Sequence, residues 1–273
     1  MSELYNKIQG PFPIFCRGHS GGRIAAEAYI RNGINMGNVH IKKKDTNSLG
    51  MNNPLIRKII LNSFEYENQN LIMKKYYQSL MKKSISKFHK TEITSDSAFG
   101  WKIGMTTFTM PVVFDIFPNA KVLHIIRDGR DVMLSRLNAR IELLNDPMNK
   151  VMVFGDKNIS SYKGKEINKE TIEKYRNELE MMHWVTSVKY GIQGRKYEGR
   201  YLEIRYEDMC RKPVETFTEV FSFLDIPFLE STKEWLIANV RTDRIGKWRK
   251  LSDEEMKVPL EIGGELLKEL GYI

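Results

Sequence analysis

The chain of 273 residues has two cysteines, Cys16 and Cys210, and no stretch close to the ~18 apolar residues that cross a bilayer. So few thiols exclude a disulfide framework, and they show no metal-binding spacing; both facts agree with a reducing compartment. No basic, apolar and small-residue leader fits before the first strand-like run at Pro11. The sequence is therefore expected to be cytoplasmic, without a membrane span. A Walker loop is also missing: nowhere do two glycines bracket four residues and run into Lys-Ser/Thr, which excludes ordinary ATP or GTP hydrolysis. There is no internal repeat, linker or nucleic-acid module, so one domain over residues 1–273 and no nucleic-acid partner are expected.

What is present is an ordinary globular composition, 41% apolar and 28% charged, with Lys and Arg at 43 against Asp and Glu at 34. The formal surplus of +9 draws an anionic ligand, a polyanion or a membrane surface. Apolar runs bounded by breakers predict buried strands at Pro11–Arg17, Gly100–Gly104, Lys121–Ile126 and Arg200–Tyr206. Helical periodicity predicts Gly21–Arg31, Pro54–Leu61, Gln69–Lys90, Phe108–Phe117, Gly129–Leu144 and Thr171–Tyr190. In the Gln69–Lys90 helix, Leu71, Ile72, Tyr76, Leu80 and Ile85 are expected on the packed side. A helix from Pro213 presents Phe217, Val220, Phe221 and Leu224, and the box Ser252-Asp253-Glu254-Glu255 opens a last helix that Gly271 closes. Asn35–Asn53 and Asn145–Asn168 are expected as loops, the second as a lid or substrate loop. Alternating strands and helices imply an α/β fold, a central mostly parallel sheet flanked by helices, with ligand at the carboxyl ends of its strands.

Two segments invite chemistry. Gly18-His19-Ser20-Gly21-Gly22 joins a strand to a helix, a setting that offers backbone amides and a helix N-terminus to an anion, with Arg17, His19 and Arg23 around it. Arg127-Asp128-Gly129-Arg130-Asp131 follows the next strand, and Ser135 lies two helical turns further, so Arg127 and Ser135 can grip one phosphate from two sides.

Together with Tyr206-Glu207-Asp208 and Arg244-Ile245-Gly246-Lys247-Trp248, in this order along the chain, these segments resemble the sulfotransferases that use 3′-phosphoadenosine 5′-phosphosulfate (PAPS). The resemblance implies a P-loop-like sulfotransferase fold. It implies that His19, Ser20, Gly21, Gly22 and Arg23 hold the 5′-phosphosulfate, with Arg17 or Arg23 supplying the charge of the lysine or arginine that His19 replaces. It implies that Arg127 and Ser135 hold the 3′-phosphate, that Arg244, Gly246 and Lys247 close over it, and that Tyr206 lies by the adenosine. Adenosine 3′,5′-bisphosphate is then the product, and no metal is implied. Lys102 sits where many members place a cation at the sulfuryl group, but the histidine base that some carry two residues on is here Gly104. The base is expected in the loop after the first helix, from Asp45 or His40.

The acceptor is a small molecule or glycan hydroxyl, or an amine; Lys42, Lys43 and Lys44 could attract an anionic one. Two rival readings are a nucleotide-dependent, kinase-like phosphotransferase and a non-enzymatic polyanion binder.

Overall fold

A computed structural model describes residues 10–93, 98–135, 144 and 146–273. Among them are five strands: β1 (Ile14–Cys16), β2 (Val122–Ile126), β3 (Ser161–Tyr162), β4 (Lys165–Glu166) and β5 (Tyr201–Arg205). The helices are α1 (Gly22–Arg31), α2 (Pro54–Ile60), α3 (Leu71–Glu92), α4 (Met110–Ile116), α5 (Gly129–Ser135), α6 (Pro147–Phe154), α7 (Lys169–Lys174), α8 (Arg176–Gly191), α9 (Tyr206–Arg211), α10 (Pro213–Phe223), α11 (Glu230–Asn239) and α12 (Asp253–Glu269).

β1, β2 and β5 make one parallel sheet with β2 in the middle. The chain is thus α/β, as expected. Leu123 and Ile125 of β2 pack with Ala25, Tyr29 and Phe217 of α1 and α10, whereas Val122 and Ile126 join clusters on the other face. Burial on both faces is why this strand is an unbroken apolar run apart from His124. Register places Cys16 beside Ile125 and Ile125 beside Ile204, so the three carboxyl ends finish together. Arg17, Arg127 and Tyr206 follow those ends directly.

Several expectations need correction. Gly100–Gly104 is not a full strand: residues 99–102 pair with β1 through Phe12 N to Phe99 O and Ile14 N to Trp101 O, both 2.9 Å, then turn into a 3-10 helix at Gly104. Of the stretch expected as a loop over 145–168, the described residues 146–168 are largely structured. Asp146 caps α6, whose Pro147 is in the first turn, Gly155 ends it at φ 74°, and β3 and β4 form a hairpin. Thr171–Tyr190 divides at Tyr175 into α7 and α8. On α3 the packed side is Tyr77, Met81, Ser84, Ile85 and Phe88, while Leu71 and Ile72 are 66% and 79% exposed. Of the helix expected over Gly129–Leu144, residues 136–143 lie outside the described residues.

His124 is buried in mid-sheet, and its Nδ1 shares a 2.6 Å hydrogen bond with the Tyr201 hydroxyl. Loss of solvation lowers its pKa from 6.5 to about 4. The unfolded chain then binds a proton below pH 6.5 that the folded chain refuses, so stability is fully present above 6.5 and falls as pH drops toward 4. Urea unfolding at pH 7.5 and 4.5 should show a loss of about 2–3 kcal/mol from this group. His124→Gln should remove that part of the slope.

Candidate active site

At the end of β1 the chain turns back on itself, Ser20 N donating to Arg17 O at 3.1 Å, with His19 at φ 70° and Gly21 at φ 88°. Gly21 caps α1 without any side-chain hydrogen bond; Ile24 N donates to Gly21 O at 2.9 Å and Gly22 N–H faces the Cys16 sulfur, so the helix N-terminus carries no capping side chain. The buried Ser20 hydroxyl has no protein partner. An unsatisfied buried hydroxyl beside a helix N-terminus without a capping side chain is what an anion site leaves when only protein atoms are counted. Both glycines are required by space as well: a Cβ on Gly21 would meet Met209 Cε at 2.4 Å, and one on Gly22 would meet Cys16 Sγ at 2.6 Å and Lys102 Cε at 2.8 Å.

Arg127 joins this turn to the C-terminal loop. Its Nη1 donates to His19 O at 2.8 Å, its Nη2 donates to Arg244 O at 2.5 Å, and its guanidinium lies 4.4 Å over the Tyr206 ring. The Nε–H is buried without a partner. Segments 108 and 117 residues away along the chain therefore meet at one side chain. Asp131, 1% exposed, secures the same loop by accepting from Gly246 N at 2.7 Å and Trp248 N at 3.1 Å, and it pairs with Arg127 at 3.5 Å. Arg130 stacks on Trp248 at 3.7 Å while forking onto Asp128. Burial raises the pKa of the Tyr206 hydroxyl and of the Glu207 carboxyl, which accepts from Asp128 N at 3.1 Å.

Lys102 comes to the same place from the segment beside β1. Its Nζ pairs with Asp45 Oδ1 at 2.6 Å and donates to Lys43 O at 3.2 Å, so the expected cation and one expected base lie in contact. Buried Thr46 fixes the arrangement: its amide donates to Lys102 O at 2.9 Å and its hydroxyl accepts from Lys102 N at 3.1 Å. His40 stands apart. It is exposed, and its Nδ1 accepts from Lys42 N and Lys43 N at 3.2 Å, bracing its own turn.

Residues 105–265 match the family described as the sulfotransferase domain. This chain belongs to that family. Over 144 residues, or 52% of the chain and 28% of the relative, it is 26% identical to mouse carbohydrate sulfotransferase 3. The chain thus spans about a third of the length of the curated relatives it matches. Two solved structures share the fold. A sulfotransferase from Mycobacterium avium aligns over 98% of this chain and 79% of its own, at 14% identity and TM-score 0.56. Mouse sulfotransferase SULT7A1, solved in complex with PAP, aligns over 98% and 88%, at 13% and 0.51.

The cytoplasmic placement is overturned by these relatives, which are carbohydrate sulfotransferases matched over only part of their length. Cysteine count and the composition of the first residues do not decide the compartment of such a sulfotransferase. Among the described residues no helix is long and apolar enough to cross a membrane, and no group of three His, Cys, Asp or Glu could hold a metal ion.

Not every expected site residue converges. Arg17 is buried against Glu180 of α8 at 2.7 Å, so a carboxylate already answers its charge. Arg23 and Ser135 are exposed on α1 and at the end of α5. Arg244 reaches the site through its carbonyl, its side chain being exposed beside Asp243, and Gly246 and the half-buried Lys247 follow on the loop that Asp131 holds. Asp131, Thr46 and Glu180 escaped the sequence reading. Asp131 had a signal in the repeated Arg-Asp of its segment; the others had none.

Proposed function

We propose that residues 1–273 act as a single sulfotransferase domain that moves a sulfuryl group from PAPS to a hydroxyl of a glycan acceptor. The observation that carries this reading is the Arg127 guanidinium bridging His19 O and Arg244 O, which ties the glycine turn to the C-terminal loop at one side chain. The printed names of a carbohydrate sulfotransferase relative and of a PAP-bound structural neighbour support the acceptor class and the donor.

The donor supplies, when bound, a sulfuryl group activated as a phosphosulfate anhydride. Ser20 Oγ and the N-terminus of α1 hold the anion, and Arg127 offers its remaining Nε–H beside the Tyr206 ring. Lys102 Nζ places positive charge where the sulfuryl group leaves the nucleotide, an interaction that strengthens as charge develops on the departing oxygen. Asp45 keeps Oδ1 on Lys102 and takes the acceptor's proton at Oδ2, as the acceptor oxygen bonds to sulfur and the electron pair of the broken S–O bond departs on the nucleotide phosphate.

Thermal unfolding with added nucleotides tests the donor. Adenosine 3′,5′-bisphosphate at a hundredfold its Kd is expected to stabilise the protein by about 2.7 kcal/mol, far more than AMP or ATP-Mg²⁺ at equal concentration. Preference for ATP-Mg²⁺ would install the kinase-like reading. Equal effects of all three would install the polyanion binder.

A further inference from the structure

The 22-residue helix α3 carries six lysines and a single acidic residue, Glu92. At 3.6 residues per turn, Lys75, Lys82, Lys83, Lys87 and Lys90 fall within about 140° of one another, opposite the packed side chains Tyr77, Met81, Ser84, Ile85 and Phe88. All five are exposed, and among the described residues none has an ion-pair partner. They form a stripe about 22 Å long. A surface helix normally intersperses charges of both signs, so five unanswered cations in line concentrate positive potential along one direction.

The stripe leads to the site. Glu92 at the end of α3 accepts from Asn38 N at 2.9 Å, and Phe88 fills the space where a Cβ on Gly37 would stand. The helix end is thereby docked on the loop that continues into Lys42 and Lys43, both exposed and, among the described residues, without an ion-pair partner, and then into Asp45. Lys43 touches the reacting centre through its carbonyl, which accepts from Lys102 Nζ.

We infer that this lysine face docks an acidic polysaccharide, the acceptor chain itself, and feeds one of its sugar hydroxyls to Asp45. The inference rests on the proposed function and narrows its acceptor to polymers bearing regularly spaced carboxylates or sulfates. Two other polyanions match less well. Between residues 75 and 90 the chain exposes no large apolar side chain; the exposed Leu71 and Ile72 stand in the first turn of the helix, before the stripe, and Ile41 in the loop beside Lys42, so only the two ends of the basic face could enter a bilayer interface. Near the stripe, half-buried Tyr76 lies under Lys58 and against Tyr77, and half-buried His89 packs against Phe99, so neither ring is free to stack on bases.

The test compares the unaltered protein with the quadruple variant K75Q/K82Q/K83Q/K87Q, which keeps good helix formers on the solvent side. The probes are a labelled heparin oligosaccharide, dextran, duplex DNA of matched charge, and vesicles of phosphatidylserine and phosphatidylcholine. The expected result is salt-sensitive binding of the heparin oligosaccharide but not of dextran, weakened about tenfold or more in the variant. Stabilisation by adenosine 3′,5′-bisphosphate should be the same in both proteins, which also shows that the variant is folded. Undiminished heparin binding by the variant overturns the inference. So does DNA binding as tightly as the oligosaccharide, or vesicle binding that depends on the same lysines. If the nucleotide stabilises neither protein, the donor assignment fails, and the oligosaccharide result still decides what the lysine face binds.

Discussion

Adenosine 3′,5′-bisphosphate is expected to bind the Arg127→Ala variant about 30- to 150-fold more weakly than the unaltered protein, the loss of about 2–3 kcal/mol of charge-assisted hydrogen bonding. AMP should bind both proteins alike, because the lost contact is assigned to the 3′-phosphate. The Arg127 side chain is 4% exposed, so the variant leaves a buried polar gap lined by His19 O and Arg244 O, and water entering it is a neutral substitute that does not restore the charge. Asp131 still holds Gly246 N and Trp248 N without it, and the loop should stay closed. Calorimetric titration of both nucleotides separates the outcomes. Equal weakening of the two would make Arg127 a tie between backbone segments only, and no weakening would move the phosphate site elsewhere. Arg127→Lys should recover little, since an ammonium cannot fork onto two carbonyls and also stack on Tyr206.

The second large effect is on turnover. Lys102→Ala is expected to lower kcat about 10²- to 10³-fold, the range for removing one preorganised charge from a developing anion, with nucleotide affinity kept. Asp45→Asn should lower kcat about 10²-fold, because the amide still bonds Lys102 but accepts no proton. Since the two side chains touch at 2.6 Å, the double variant should lose much less than the product of the single losses. Single-turnover rates with labelled donor measure all three. Full activity in Asp45→Asn would remove the aspartate from the proton's path.

How far the sequence revealed this site depended on whether a feature was local. The glycine turn, the Arg-Asp segment and the capping box at Ser252 are each a few consecutive residues whose chemistry can be read in place, and three of the four predicted strands fall within a few residues of their bounds, Gly100–Gly104 being the exception. The partners were harder. Arg17 and Glu180 lie 163 residues apart and Thr46 and Lys102 lie 56 apart, and nothing in either member of a pair names the other. The error over 145–168 was of another kind. Pro147 and Gly155 by themselves suggest a loop, whereas with Asp146 as cap they are the first turn and left-handed terminator of a short helix. On α3 Ile85 is buried and Tyr76 and Leu80 pack against the core as expected, but Leu71 and Ile72 are exposed, because the burial of Tyr77, Met81 and Phe88 sets the helix phase.

The alkyl stem of Lys102 occupies the space a methyl at Gly22 would need. Two regions far apart in sequence thus share one volume. A bulkier residue at that position would make the Lys102 stem bend aside, so the contact of its ammonium with Asp45 rests on the bareness of a residue eighty positions away.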